Sequence, residues 1–496
     1  TQGSMHSANV RSNRRVSEGM EASNPGDVSS ISPVNISAAR RSYSQQSPGG
    51  TLSMTEDSDS GLDHLMLGLG TSPSTHTHEA HTLGSGKSPT YSTHASHDGE
   101  FLPQSLIAAM PQEVEELLLN AYRGRAQAQY PFLHWPTFMA WHSDWKHCSH
   151  GEIGARSWQG FFVNLVYSTA LLVLSLPRVG QSDARTFYKN GVSLLSAVYA
   201  QKDDILSIQS YLLLSVHSLH KASTPRIISL TSLTMRYCVQ SQFHLSQTEP
   251  EPVDRLARFQ SQLRRRCFWS AYCMDRLVMA SFELPPSVSD VMITAKLYAN
   301  INDEDLEQVI NETCSDVELP DSPVYTCVSS SLHILQCRRI QSEISNYTLR
   351  WDYKEHYESA LDWRIRILSE LENYKSRVQN FSDPQAKGHT SQRWLAMIYH
   401  YALLTLYRPT KESVLGPAGD WSIQASSQAC LMFRKSQMDR QIAQAWLGVS
   451  ASKQKKIKIS FPMCTNMSIA SCSISVRCYT AVLLLGNTTA VPDRKL

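Results

Sequence analysis

Four side chains that can bind a metal ion lie within the short segment 142–150. They are His142, His147, Cys148 and His150. Imidazole and thiolate are ligands that zinc takes in proteins. Adjacent residues such as His147 and Cys148 rarely reach one tetrahedral centre, however, and a polar surface turn explains the segment as well. We therefore predict no metal site here, and the absence of any Cys-x-x-Cys pair argues against a closed zinc site elsewhere.

Sequence patterns that mark enzymes are also missing. The chain has no GxSxG elbow, no GxxxxGK[ST] phosphate loop, no HExxH pair and no glycine-rich fingerprint after a strand. An enzyme built on a buried pocket of His134, His217 and His400 remains the weakest of three interpretations. His217 and His220, one turn apart in an apolar helix, are predicted to be core histidines. We predict that the protein is not an enzyme.

Clusters of basic residues could bind acidic partners. Arg264, Arg265 and Arg266 open an apolar helix, so we expect internal ion pairs and packing against aromatic rings more than contact with DNA. A second cluster suits nuclear import, although a solubilising tail explains it equally well. It consists of Lys453, Lys455, Lys456 and Lys458.

Composition limits the class of protein that carries these residues. The 496 residues have a formal net charge of +2, with 18% charged and 42% hydrophobic residues, which is typical of a globular core and not of a chain that coats nucleic acid. No signal peptide is recognisable, so reduced, intracellular thiols are expected. The apolar stretch Phe161–Leu176 is shorter than the roughly 20 residues of a membrane span. We interpret it as a core helix and expect no membrane association.

Helical periodicity recurs through the middle of the chain, and alternating strand patterns are absent, so we predict an all-α fold. A helix should begin at Pro111, because proline fits the first turn and the following glutamates favour the positive end of the helix dipole. Three later helices are predicted at Leu332–Asn346, Tyr357–Lys375 and Ser391–Tyr407. Two polar segments, Gln247–Asp254 and the acidic Asn302–Ser322, are predicted loops.

Three regions differ in composition. Residues 1–101 are rich in Ser, His and Gly and form a predicted disordered linker, because they offer too little apolar area to offset the entropy of ordering. Within it, Leu62–Leu69 is a short apolar segment that we interpret as a chance patch more readily than as a partner-binding motif. Residues 102–440 form the predicted helical domain. Residues 441–496 form a basic and irregular C-terminal tail.

Three motifs in the helical region resemble the fungal-specific transcription factor domain, the middle homology region of fungal binuclear zinc-cluster transcription factors. The first is YPFLHWPTF, the second LRRRCFWSAYCMDRLVMASFELPPSVSDVMI and the third WLAMIYHYALLTLYRPT. The matching positions are Pro131, Phe132, His134, Pro136, Phe138, Arg264, Arg265, Arg266, Phe268, Trp269, Asp275, Arg276, Pro285, Pro286, Asp290, Tyr399, His400, Arg408 and Pro409. Glu283-Leu284 stands where the family often has Gly before the double proline.

The resemblance implies a nuclear regulator of DNA-templated transcription whose helical domain controls output, dimer geometry or effector response. In this family six cysteines hold two zinc ions, and the resulting cluster reads DNA. No Cys precedes Cys148, so the cluster is expected upstream of this chain or not at all. Zinc is expected only with that cluster, and the helical region itself should need no cofactor.

The partners implied are DNA through such a cluster, the transcription machinery or co-regulators, a second copy in a homodimer, and a small-molecule effector. The alternative interpretation is a cluster-less helical module that binds an effector or a protein without touching DNA.

Overall fold

Helices make up 73% of the part of the chain that the computed structural model describes, and that part contains no strand. The described residues are 105–174, 176–178, 183–221, 224–314, 318–350, 352–356, 358–386, 388–407 and 417–438. The prediction of an all-α fold is confirmed. The predicted disordered linker 1–101, the segment Leu62–Leu69, the tail 441–496 and the family-motif residues Arg408 and Pro409 lie outside the described residues.

The connections between the helices vary in length, from the single residue Leu194 to the long segments 283–302 and 313–328. The first eight are α1 (Ser105–Ala108), α2 (Gln112–Tyr122), α3 (Trp135–Lys146), α4 (Ile153–Leu174), α5 (Ala184–Ser193), α6 (Leu195–Tyr199), α7 (Asp204–His220) and α8 (Thr224–Gln240). The remaining ones are α9 (Arg255–Phe282), α10 (Asp303–Glu312), α11 (Ser329–Thr348), α12 (Tyr353–His356), α13 (Leu361–Asn380), α14 (Gln392–Leu406) and α15 (Pro417–Met438).

Local sequence signals set several helix starts. Pro111 directly precedes α2 and glutamates occupy its first turn, as predicted. At four other helices a side-chain oxygen accepts a hydrogen bond from a backbone N–H of the first turn, which satisfies a donor that the helix itself leaves unpaired. These capping residues are Asp183, Asp203, Asp254 and Ser391.

Helix α4 lies in the core, as predicted for the apolar stretch that it contains. It packs against α2, α3, α5, α6 and α7. Among the described residues it is the one helix long and apolar enough to cross a membrane, but 78% of its most apolar window is buried inside the protein. Gly160 allows the ring of Trp145 to approach, since a Cβ at Gly160 would lie 2.7 Å from two ring atoms. Burial against protein therefore explains its hydrophobicity.

Helix α9 is the longest described helix and packs against α7, α8, α10 and α11. The arginine triplet does not open it, contrary to the prediction. The helix begins at Arg255, nine residues earlier, because Asp254 caps it by accepting from the backbone N–H of Ala257 at 2.7 Å. It ends at Phe282, and Glu283 then adopts the left-handed conformation with φ 56°. A family Gly before the double proline would suit this backbone conformation.

The acidic segment Asn302–Ser322 is not the loop that was predicted, because its first half forms α10. Acidic residues in the first turn suit the positive end of the helix dipole. Leu306 and Ile310, one turn apart, are buried and anchor the helix. The other predicted loop, Gln247–Asp254, contains the end of a single 3-10 turn and no longer helix.

The three helices predicted near the end of the domain are confirmed as α11, α13 and α14, with boundaries shifted by a few residues. Helix α14 packs against both α13 and α15, and α11 contacts α9, α13 and α14. The family-motif helix α9 is thereby joined to the later helices.

Candidate functional site

The first family motif forms the turn before α3 and the start of that helix. Pro131 and Phe132 are buried, as is Phe138 in the first turn, whereas Pro136 is exposed at the second helical position. The carbonyl of Phe132 accepts a hydrogen bond from Nε2 of Gln209 at 2.6 Å. The motif is thus tied to α7 through its backbone.

An ion pair connects this motif to α9 and α10. Nη1 of Arg266 lies 2.5 Å from Oδ1 of Asp303, and the two side chains are 1% and 3% exposed. Oδ2 of Asp303 accepts from the backbone N–H of Trp135 at 2.9 Å. Nε2 of His134 lies 2.8 Å from the carbonyl oxygen of Asp303, and Nδ1 lies 2.8 Å from the hydroxyl of Thr137. Three separate segments of the chain therefore meet at one carboxylate.

The charges in this cluster are fixed by their surroundings. Burial alone would raise the pKa of Asp303, but the adjacent Arg266 and the N–H of Trp135 stabilise the carboxylate, and the pKa is lowered. Burial lowers the pKa of His134, in spite of the nearby Asp303. Because a carbonyl can only accept, Nε2 of His134 donates to Asp303 and Nδ1 accepts from Thr137. The histidine is neutral and the ion pair is intact at neutral pH.

The other two arginines of the triplet bind neighbouring segments. Arg264 donates to the carbonyls of Thr248 at 2.8 Å and Gln242 at 2.6 Å, and its guanidinium stacks 4.6 Å from the ring centroid of Phe243. Arg265 makes two parallel hydrogen bonds to Glu249, at 2.9 and 2.8 Å. The predicted internal ion pairs and aromatic packing are confirmed, and all three guanidinium groups are engaged inside the protein.

The aromatic pair after the triplet belongs to the core. Phe268 is 0% exposed and Trp269 5% exposed. The indole N–H of Trp269 donates to the carbonyl of Lys296 at 2.8 Å, so its polar atom is satisfied as well. Trp269 therefore fixes the extended segment that leads to α10.

A second buried cluster surrounds Arg276, six residues before the end of α9. Arg276 bonds Asp275 at 2.5 Å and Asp290 at 3.1 Å, and its Nε donates to the hydroxyl of Ser342 at 2.8 Å. Tyr272 donates its hydroxyl to Asp290 at 2.7 Å, and its ring lies 4.3 Å from the guanidinium. The cluster joins α9 to α11 and to the segment after the double proline.

Asp290 is held ionised in this second cluster. Burial would raise its pKa, but Arg276 and the hydroxyls of Ser342 and Tyr272 lower it. Between α9 and Asp290 the chain passes the double proline, of which Pro285 is exposed and Pro286 half-buried. The prolines restrict the turn that returns Asp290 to the helix, since each fixes its own φ.

The third family motif lies on α14. Tyr399 is buried and donates its hydroxyl to Glu372 of α13, and the ammonium of Lys375 lies 5.4 Å from its ring centroid. His400 is half-buried beside it, in edge-to-face contact at 5.1 Å. At the next position, the hydroxyl of Tyr401 donates to the carbonyl of Ala280 at 3.0 Å, which connects α14 to α9.

The structure separates the residues that composed the weak metal candidate. Nε2 of His142 contacts the hydroxyl of Tyr167 at 2.7 Å in the core, whereas His147 turns back to the carbonyl of Ser143. Within the described ranges no three His, Cys, Asp or Glu side chains are grouped so that they could hold a metal ion.

The three histidines of the enzyme interpretation have different neighbours. His134 contacts Asp303 and Thr137, and His400 contacts Tyr399. His217 is buried, as predicted for the core, and its ring stacks on Tyr188 at 4.4 Å. The shared pocket that this weakest interpretation requires is not formed by these contacts.

The described cysteines do not fit a binuclear zinc cluster. Most of them are buried thiols: Cys148, Cys238, Cys267, Cys273 and Cys337. Burial raises the pKa of Cys273 to about 12, which disfavours the thiolate that a zinc ligand requires. The described helical region therefore offers no thiolate set for a pair of zinc ions.

Sequence reasoning missed the acidic partners of the arginines. Asp303 was placed in a loop, and Glu249 in another, although each is a main partner of the triplet. A signal for Asp303 was present, because Asn302 followed by three acidic residues and then Leu306 is typical of a helix start. No pattern in the sequence indicated Ser342.

Comparison with known proteins identifies the domain. The profile of the fungal specific transcription factor domain matches residues 119–376, which is slightly more than half of the chain. No solved structure matches at a significant level.

Three curated relatives are fungal regulatory proteins. Pyrimidine pathway regulatory protein 1 of Saccharomyces cerevisiae is 23% identical over 50% of this chain and 27% of its own length. Protein STB5 of the same yeast is 25% identical over 47% of this chain and 32% of its length. Thiamine repressible genes regulatory protein thi1 of Schizosaccharomyces pombe is 23% identical over 45% of this chain and 26% of its own length. The chain thus spans about a third of these relatives or less, and the match of its helical region shows that it belongs to the fungal-specific transcription factor domain family.

Proposed function

We propose that this chain carries the regulatory domain of a nuclear regulator of DNA-templated transcription, acting on genes that RNA polymerase II transcribes. The observation that carries the proposal is the family match over residues 119–376. The names of two relatives, a pyrimidine pathway regulatory protein and a regulatory protein of thiamine-repressible genes, support it.

The arginine contacts support a regulatory role for the helical body more than DNA readout by it. DNA contact requires cationic side chains that can reach phosphates or base edges. Arg264, Arg265 and Arg266 are 8% exposed or less and bind partners within the domain. The proposal therefore gives these arginines no role in direct DNA recognition, which would need a six-cysteine zinc cluster, and zinc is expected only with such a cluster.

The remaining parts of the proposal concern partners and location. The regulatory domain would act on the transcription machinery or on co-regulators, as a monomer or a homodimer, and without catalytic activity. The run Lys453, Lys455, Lys456 and Lys458 would direct nuclear import. Replacing these four lysines with Gln in a fluorescent fusion should leave the protein in the cytoplasm. If the fusion still accumulates in the nucleus, the run is a solubilising tail.

A tethering experiment tests the regulatory function. The full chain of 496 residues is fused to a bacterial DNA-binding domain, in fungal cells whose reporter gene carries the bacterial operator. We expect reporter expression to change severalfold, upward or downward, relative to the DNA-binding domain alone. Asp303→Asn, which breaks the buried ion pair, should abolish the change. Glu307→Gln, an exposed substitution on the same helix, should leave it intact.

One outcome of the tethering experiment would contradict the proposal. A fusion that is nuclear, abundant and bound to the operator but leaves the reporter unchanged would contradict a transcriptional role. The alternative would then be a helical module that binds an effector or a protein without touching DNA. One structural feature, a groove between the last helices, favours that alternative.

A further inference from the structure

Helices α13, α14 and α15 enclose a groove of about 490 Å³ at the end of the described domain. Pockets for small organic molecules have volumes of roughly 300 to 1,000 Å³. The groove is therefore large enough for a molecule of metabolite size. It is lined by side chains of all three helices, and it lies apart from the arginine clusters on α9.

Each of the three helices contributes one cation to the groove. These are Lys375 of α13, Arg393 of α14 and Lys435 of α15. None of the described lining residues is acidic. A carboxylate of α13, Glu372, accepts from the hydroxyl of Tyr399 and lies 3.0 Å from the ammonium of Lys375. All charged side chains among the described lining residues are therefore cationic, although that of Lys375 is paired with Glu372, and a cationic lining favours an anionic ligand.

His400 lines the groove, and one nitrogen of its ring has no hydrogen-bond partner among the described residues. Nδ1 of His400 is sheltered from solvent and makes no hydrogen bond there. Burial lowers the pKa of His400, and the ammonium of Lys375 lowers it further, although Glu372 acts in the opposite direction. The imidazole is therefore neutral at neutral pH. A buried polar atom without a partner is costly, and a bound ligand would satisfy it.

The rest of the lining is mostly apolar, apart from Gln379 and Gln392. Val378, Ala396, Leu431 and Met432 line the groove between the cations, together with the ring of Tyr399. Leu431 is 57% exposed, so apolar area on α15 is left uncovered. Such a surface suits the hydrocarbon or aromatic body of a ligand. An inorganic ion or a nucleic acid backbone would leave it in contact with water.

We propose that this groove binds a small organic anion with an apolar or aromatic body and a carboxylate or phosphate group. The acid group would lie among Lys375, Arg393 and Lys435, with His400 contacting a polar atom of the ligand. Its role as the effector of the regulatory domain rests on the proposed function. Binding of the anion does not rest on the proposed function, so experiments can refute the ligand site and the transcriptional role separately.

Calorimetric titration of the full chain tests the proposal with three probes of the same shape. These are 2-naphthoate, 2-naphthyl phosphate and the neutral 2-naphthalenemethanol. At least one anion should bind about tenfold more tightly than the alcohol, because the alcohol lacks the charge that the three cations attract. Binding of the anion should weaken with added salt, and binding of the alcohol should not. The tighter of the two anions identifies the acid group as carboxylate or phosphate.

Variants locate the site. Lys435→Gln should weaken anion binding about threefold, as expected for a solvent-exposed charge, and leave the alcohol unaffected. Ala396→Trp should fill the groove and abolish binding of all probes. Lys189→Gln, an exposed lysine on α5, is the matched control and should change nothing. Circular dichroism melts show whether Ala396→Trp folds, and Lys435→Gln tests the site even if it does not.

Several outcomes would overturn the proposal. Equal affinity for the alcohol and the anions would remove the charge argument. Unchanged anion binding in Lys435→Gln and Ala396→Trp would place the probes elsewhere. If Ala396→Trp instead changes the sedimentation mass of the chain and leaves probe binding intact, the groove is an interface between two copies. If the reporter fusion is active but the chain binds none of the anions, the proposed ligand site is wrong and the transcriptional role stands.

Discussion

The buried ion pair between Arg266 and Asp303 makes the most direct prediction about stability. Asp303→Asn keeps the shape of the side chain but removes its charge, which leaves the guanidinium of Arg266 buried at 1% exposure without a counter-charge. Removing one member of a buried pair costs about 3 to 5 kcal/mol. The amide has a single acceptor oxygen, so it can accept from the N–H of Trp135 or from Arg266 but not from both, and we expect a loss of at least about 3 kcal/mol.

Urea unfolding followed by tryptophan fluorescence measures this loss. At roughly 2 °C of melting temperature per kcal/mol for a domain of this size, the midpoint should also fall by about 6 °C. Glu307→Gln on the same helix is exposed and should change the free energy of unfolding by less than about 0.5 kcal/mol. Arg266→Met combined with Asp303→Asn should cost less than the sum of the single changes, because no unpaired charge remains.

The pH dependence of stability gives an independent test of the ion pair. The pKa of Asp303 is lowered in the folded protein, so its contribution is complete above the unfolded value of about 3.9 and is lost as the pH falls through the folded value. Asp303→Asn should therefore flatten the loss of stability below about pH 4. If the variant is as stable as Glu307→Gln, or if the double variant is strictly additive, the ion pair does not stabilise the domain and the reasoning is wrong.

Three further changes test other features. Gly160→Ala should destabilise the core by about 1 to 3 kcal/mol in a thermal melt, because its Cβ would lie 2.7 Å from the ring of Trp145. Gly154→Ala on the same helix has open space around its Cβ and should leave the melting temperature unchanged or raise it slightly. Glu283→Gly should raise the free energy of unfolding by up to about 1 kcal/mol by relieving its positive φ, and equal stabilisation by Glu283→Ala would instead implicate the carboxylate. Burial lowers the pKa of His220 to about 3, so the folded state disfavours its protonation. The neutral imidazole therefore contributes to the free energy of unfolding above about pH 6.5, and this contribution falls by about 1.4 kcal/mol per pH unit as the pH drops toward 3. Denaturant titrations at pH 6 and pH 5 should show a smaller loss of stability in His220→Gln than in the unmodified protein.

Periodicity and local chemistry were enough to predict the helices and much of the core. The buried position of the apolar stretch in α4 followed from hydrophobicity alone. The internal ion pairs of the triplet also followed, because three arginines within an apolar helix need counter-charges. The identities of those counter-charges did not follow, since Asp303 and Glu249 are brought to α9 by tertiary packing.

The errors have physical causes. The acidic character of 302–322 suggested a solvated loop, but Leu306 and Ile310 bury one face of α10 and leave most of its acids on the outside. The start of α9 was placed at the triplet because the preceding residues are polar, whereas the capping by Asp254 sets the true start. The groove of α13–α15 could not be predicted, because its cations lie on three helices separated by up to 60 residues of sequence.

The contacts of α9 also bear on how the chain folds during synthesis. Arg266 must wait for Asp303, 37 residues later, and Arg276 for Ser342, 66 residues later. At about 5 to 20 residues per second the second delay is roughly 3 to 13 s. During that interval a long helix with buried cationic and aromatic side chains has no completed partner surface. Nascent chains that stall before Ser342 should therefore be dependent on chaperones and sensitive to proteases, and the domain should resist division into independently folding halves.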